Sequence, residues 1–286
     1  MDKLPNLTVA GLPRRFGGPN GYGHHWDGQQ RKTPLVRLAA RLGWSSSSPS
    51  KADMRPLVMD VKGPGILDQG PTSSCVGHAH VGSVMTRLLA MGIPAPYLLS
   101  PTFAYLLARI VDRQEINGVL PPITDDGSMP NACVRGIAEW GVCSFDMRPT
   151  DPATINDEPK ILELEQSFIV RPRGIYEVLG TGQAREDQIK AALANGFPLT
   201  IAAIVDPAFE NWSGGDPIDA PDLSQALGGH DIYLVGYETL SNGTVVYFIA
   251  NSWGRDWAES GFARVSSRWI QAAMDIEAVE LDQEAA

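Results

Sequence analysis

Apolar positions recur with a regular period from residue 56 onward, and that period changes once along the chain. In the first half they return every three to four residues, which predicts helices over about 75–91, 100–114 and 128–141. In "SPTFAYLLARIVDRQ", Ser100 is placed as an N-cap, and Pro101 takes the first helical position, where its missing N–H is no loss. In the second half the pattern shifts to short runs rich in β-branched and aromatic residues: "PLTIAAIV", "HDIYLVGYE", "TVVYFIANS" and "GFARVS". One helix, "REDQIKAALANG", lies among these strands, and "SNG" at 241–243 is expected to turn a hairpin. Residues 1–55 show neither period. "GLPRRFGGPNGYGHHWDGQQRK" is dense in Gly and Asn, and a short basic helix-like piece leads from it into the linker composition "SSSSPS". The pattern thus predicts an N-terminal extension over 1–55 outside the core and one α+β domain over 56–282. A helical lobe (about 70–165) would precede a sheet lobe (about 166–282), with a cleft where they meet.

Composition narrows the class. A chain of 286 residues buries a core without staples, and its three cysteines, Cys75, Cys133 and Cys143, are too few and too scattered for a disulfide framework. The expectation is that all three are reduced. A net charge of −10 and a pI near 4.9 would repel a phosphate backbone, so nucleic acid is not an expected partner. No basic start leads into an apolar h-region, and no run of eighteen apolar residues occurs, so neither a Sec signal nor a membrane span is expected. The chain would be cytoplasmic or exported by another route.

Candidate chemistry centres on Cys75 in "DQGPTSSCVGHAHVG", where a Gly/Pro/Ser turn runs into the first predicted helix. A thiol attacks a carbonyl as thiolate, so it needs a helix N-terminus, an imidazole to take its proton, and donors for the oxyanion. His230 in "GGHDIYLVGYE" supplies an imidazole at a strand end. Asn251 in "IANSWGRDWAESGF" can accept from the second ring nitrogen and hold the tautomer, and Trp253 can screen that bond from water. Gln69 offers a side-chain amide beside the Cys75 backbone N–H, two donors for an oxyanion hole.

These blocks, in this order, resemble the papain family of cysteine peptidases in the compact bacterial style. The likeness runs over 56 to about 270 and includes "LSPTFAYLLAR" as the second helix and "DDGSMPNACVRGIAEWGV" as a substrate-binding edge plus third helix. It implies a two-lobed papain-like fold, a helical lobe facing a β-barrel-like lobe, that hydrolyses peptide bonds through a thioester without cofactor or metal. Cys75 would be the nucleophile, His230 base then acid, Asn251 the orienter and Gln69 the oxyanion donor. Gly127, Ser128 and Met129 would pair with an extended peptide or protein substrate. Three departures stand out. Thr72 and Val76 occupy places where the family pattern has a cysteine and an aromatic, so the usual disulfide from that turn cannot form. Asp231 follows the histidine, where most of the family has a small residue; it would either face the P2 pocket and favour basic or polar P2 side chains, or turn away. Residues 1–55 lack the long helical inhibitor segment of many relatives.

The remaining polar residues have plainer readings. His78 and His80 are about 200° apart around a helix and cannot share a metal. Three functions stay open: an endopeptidase, a thiol amidase of cell-wall peptides or acyl transferase on the same fold, and a catalytically dead binding module. The N-terminal segment would be either a disordered tail or an intramolecular inhibitor, part of residues 10–30 lying extended over the cleft with Phe16, Tyr22 or Trp26 as anchors.

Overall fold

The two periodicities become two separate hydrophobic cores, one made by helices and one by a sheet. The computed structural model describes residues 33–281, apart from 46, 61–64, 94, 115–118 and 169–171. In chain order the elements are β1 (Thr33–Pro34), α1 (Leu35–Leu42), β2 (Lys51–Asp53), α2 (Arg55–Asp60), α3 (Cys75–Ala90), α4 (Pro101–Asp112), α5 (Pro130–Trp140) and α6 (Ile161–Glu165). The sheet half adds β3 (Pro172–Glu177), α7 (Gly182–Ala194), β4 (Leu199–Val205), α8 (Pro207–Glu210), β5 (Gly228–Thr239) and β6 (Val245–Ala250). It ends with β7 (Phe262–Ser266), α9 (Ser267–Ala272) and β8 (Asp275–Leu281).

The helical core gathers α3, α4 and α5 around Phe103, Tyr105, Leu107 and Trp140. Ser100 caps α4 as expected, its Oγ accepting from the Phe103 N–H at 2.9 Å. α3 is buried on almost every side because it lies between the other helices and the sheet. Two glycines permit this. A Cβ on Gly77 would come within 2.2 Å of the Pro101 carbonyl oxygen on α4, and one on Gly82 within 2.7 Å of the Tyr233 ring on β5. Cys133 and Cys143 are free thiols buried in the same core.

The strands form one sheet in the order β1-β3-β8-β4-β5-β6-β7, with β2 also paired to β5, and every pairing is antiparallel except β1 with β3. The expected α+β class stands, but the sheet is not closed into the barrel-like lobe expected. Its β7 edge is covered instead: Ile218 bridges Val265, so the outer backbone groups of β7 have partners without closure. The β5–β6 hairpin turns where expected, with Gly243 at φ +84° and its N–H on Leu240 O.

The boundary placed at 55 needs correction. Leu35 and Leu38 of α1 are fully buried in the sheet-lobe core, Trp44 packs on Phe197 with centroids 5.1 Å apart, and Lys51–Asp53 pair with Gly236–Glu238 of β5. Residues 33–55 are therefore part of the folded domain. The short basic helix-like piece read before "SSSSPS" is α1, eight residues with two arginines, whereas β2 has three residues, too little length for a strand period to register. The apolar pattern does not predict β3, β8 or α9 either.

Candidate active site

The turn before Cys75 is an irregular loop whose shape depends on polar side chains. Gly70 adopts φ +54°, a left-handed conformation suited to glycine, and its N–H reaches Asp68 Oδ1 at 2.9 Å. The Gln69 Nε2 donates to Thr72 O and the Thr72 hydroxyl donates to Gln69 O, both at 2.7 Å. That leaves one Nε2 hydrogen of Gln69 uncommitted by any described contact. Gln69 Oε1 accepts from the Ser252 hydroxyl at 2.6 Å, and Gln69 N–H donates to Ser252 O at 2.8 Å. The loop is thus sewn to the other lobe, and a bridge between Asp68 and Trp253 extends the seam. Cys75, half-buried, opens α3, where the aligned peptide dipoles favour a thiolate.

On the sheet lobe, β5 is held between β4 and β6, and its register pairs His230 with Ala203. His230 Nε2 lies 2.7 Å from Asn251 Oδ1 just beyond β6. Oδ1 also accepts the Ser252 N–H at 2.8 Å, which sets the amide orientation. A carboxamide oxygen only accepts, so Nε2 carries the proton and Nδ1 is left for the thiol. Trp253 stacks on the imidazole with centroids 4.8 Å apart, and Phe209 of α8 meets it edge-on at 6.3 Å. Burial holds His230 down at about 4, against the opposing pull of Asn251. Burial pushes the Cys75 thiol up to about 11, helped by the Asp231 charge and opposed by the backbone N–H groups of Asp231, Val76 and Cys75. α3, which Cys75 opens, packs directly against β5.

The other expected residues are placed as follows. Both carboxylate oxygens of Asp231 are enclosed, with Oδ2 3.7 Å from His80 Nδ1 on α3, so the side chain turns inward rather than into an open P2 pocket. A strand alternates its side chains, so with His230 on the cleft face Asp231 must take the opposite one. Gly127, Ser128 and Met129 precede α5, with φ +86° at Gly127, open space about it, and Met129 exposed. The Ser128 hydroxyl and the Met129 N–H both donate to Asp112 Oδ2. His78 is a satisfied core residue: Nδ1 donates to Ser74 O at 2.9 Å and Nε2 accepts from Thr150. Sequence reasoning missed Ser252, Thr72 and Phe209. The "DPAF" start of α8, an N-cap Asp before Pro, was a signal for the last of these.

With this geometry in view, known proteins supply the frame. A family model described as "Papain family cysteine protease" matches residues 163–280, the part that holds His230, Asn251 and Trp253. The chain is similar to Cathepsin B-like CP3 of Giardia intestinalis, 28% identical over 207 residues, 71% of this chain and 64% of that relative. Among solved structures, Xylellain, a cysteine protease from Xylella fastidiosa, superposes with a TM-score of 0.65 at 21% identity over 82% of this chain and 87% of that one. The chain has a papain-like fold. The procathepsin B S9 of Trypanosoma congolense is a further neighbour, with a TM-score of 0.64 at 19% identity over 90% of this papain-like chain and 85% of that one. The chain spans just under two thirds of the length of the Giardia relatives. Among the described residues no helix is long and apolar enough to cross a membrane.

Proposed function

We propose that this papain-like chain is a cysteine endopeptidase, with Cys75 as nucleophile and His230 as its base. The observation that carries the reading is the oriented imidazole: Nε2 on Asn251, covered by Trp253, on a strand that packs against the helix Cys75 opens. Burial disfavours either ion alone while each ion favours the other, so thiol and imidazole titrate as one pair. As Cys75 Sγ bonds to the substrate carbonyl carbon, its proton passes to His230 Nδ1, and the charges form together as a mutually attracting pair. The carbonyl electrons move onto oxygen, which accepts from the Cys75 N–H and the uncommitted Gln69 Nε2 hydrogen. Collapse of that intermediate breaks the C–N bond while His230 protonates the departing amine. Water, deprotonated by the same nitrogen, then cleaves the thioester and restores the thiol.

Residues 10–30 lie outside the described residues. They are proposed to lie over the cleft as an intramolecular inhibitor, a reading supported by the names of two structural neighbours, both procathepsins. Any truncation that tests this must stop before Thr33, because β1 and α1 belong to the sheet lobe.

The deciding experiment is hydrolysis of a fluorogenic dipeptide amide under reducing conditions, with products identified in the presence of an added amine acceptor. Wild type is expected to release free acid, and Cys75→Ala to lose turnover while keeping its fold. Near-normal hydrolysis by Cys75→Ala, or transfer to the amine in preference to water, would overturn the reading.

A further inference from the structure

The nucleophile turn and the proposed substrate edge come from segments some fifty residues apart, yet one chain of hydrogen bonds joins them. The Ser73 N–H, two residues before Cys75, donates to both carboxylate oxygens of Asp125, at 3.0 and 3.2 Å. Asp125 Oδ1 also accepts from the Tyr105 hydroxyl at 2.9 Å. That hydroxyl in turn accepts the Gly127 N–H at 2.9 Å. Tyr105 stands on α4 with no exposed surface, and Arg109 lies 3.9 Å over its ring while binding Thr124 O, Ile155 O and Asn156 Oδ1. The relay is therefore anchored to a rigid element.

We infer that Asp125 is a positioning residue for the proposed peptidase reaction, holding through Tyr105 the Cys75 turn and the Gly127–Met129 edge in one register. The inference rests on the proposed function, since it assigns Asp125 a part in that same site. The physical reason is reach. A peptide laid along Gly127–Met129 presents its carbonyl to Cys75 only if the separation of the two segments is kept, and a misplacement near 1 Å can lower turnover about a hundredfold. No covalent link from the turn holds that separation, because Cys75 is a free thiol and Thr72 and Ser74 flank the tie at Ser73. Asp125 acts here as an acceptor. A neutral amide keeps one oxygen at the place where both the Ser73 N–H and the Tyr105 O–H point, whereas a methyl group keeps none.

The test compares Asp125→Ala, Asp125→Asn and Tyr105→Phe with wild type, all in the full chain, with rates expressed per Cys75 site titrated by an epoxide thiol inhibitor. That normalisation removes any loss of folded protein. Two substrates are used: an extended peptide amide that lies along the edge and a single-residue ester that does not. On the peptide, Asp125→Ala is expected to lower kcat/KM per site about 30-fold or more, with Asp125→Asn within about fivefold of wild type. Tyr105→Phe, which removes the acceptor of the Gly127 N–H, is expected to raise KM for the peptide and leave KM for the ester unchanged. A per-site kcat/KM within twofold of wild type on both substrates for Asp125→Ala would overturn the inference. If Asp125→Ala gives no titratable sites, an unchanged peptide KM in Tyr105→Phe overturns it equally. Failure of the proposed function has a different signature, namely wild type that titrates but does not hydrolyse the peptide.

Discussion

The two halves of the proposed active site are held by different means. His230 is positioned by a strand whose backbone is bonded to β4 on one side and β6 on the other, so its place depends on main-chain groups that every residue supplies. Cys75 follows an irregular turn whose bonds come from particular side chains: Gln69, Thr72, Asp68 and, across the lobes, Ser252. A strand therefore tolerates substitution around its functional residue, whereas a turn of this kind does not. The seam between the two segments is polar and concentrated at Leu67–Gln69 and Ser252–Gly254.

The largest expected effect treats the halves as equals. Cys75→Ala and His230→Ala should each lower kcat by about four orders of magnitude, and the double variant should be no worse than either. Multiplying losses would mean that the two residues do not act as one unit. Next in size, Gln69→Ala should lower kcat about 10²- to 10³-fold, because it removes the proposed oxyanion donor and both of its ties to Thr72 and Ser252. Ile232→Val, on β5 two residues from His230, should instead cost about 1 kcal/mol in chemical denaturation and leave kcat/KM within about twofold. Equal kinetic losses in the two variants would break the contrast between turn and strand.

Acid should act on both lobes. Burial lowers His78 and His230 to about 4 in the folded protein, while the unfolded chain takes up a proton at each near pH 6.5. Between those values the unfolded state binds more protons, so stability is full above pH 6.5 and falls as pH drops toward 4, by up to about 3 kcal/mol per histidine. Thermal unfolding from pH 7.5 to 4.5 measures this, and His78→Gln should reduce the slope by about half if His78 contributes as much as His230. The smallest effect concerns specificity. Asp231→Asn should leave the ratio of kcat/KM for Arg-P2 and Leu-P2 substrates unchanged, because its oxygens are enclosed beside α3. A ratio shifted tenfold toward leucine would return Asp231 to the P2 pocket.

Much of this was legible along the chain. The three helices of the first lobe and the four strands quoted from the second emerged within a few residues, since each is long enough for its apolar period to show. Cys75, His230, Asn251 and Gln69 stood out as candidates because thiol chemistry demands those residue types at element ends. Shorter elements gave less: β2 has three residues, and the helix-like piece that is α1 carried no sign that Leu35, Leu38 and, beyond it, Trp44 find apolar partners in the sheet lobe.

The sequence by itself determined the class of structure, the chemistry of the candidate nucleophile and base, and the order in which their segments occur. These depend on local period and residue type, which a linear string carries in full. Tertiary structure decided where Asp231 points, that the sheet stays open with a covered edge, that residues 33–55 join the domain, and that Asp125 links Ser73 to Gly127 through Tyr105. Each of these depends on which distant backbone groups come within hydrogen-bonding reach, and no local pattern encodes that distance.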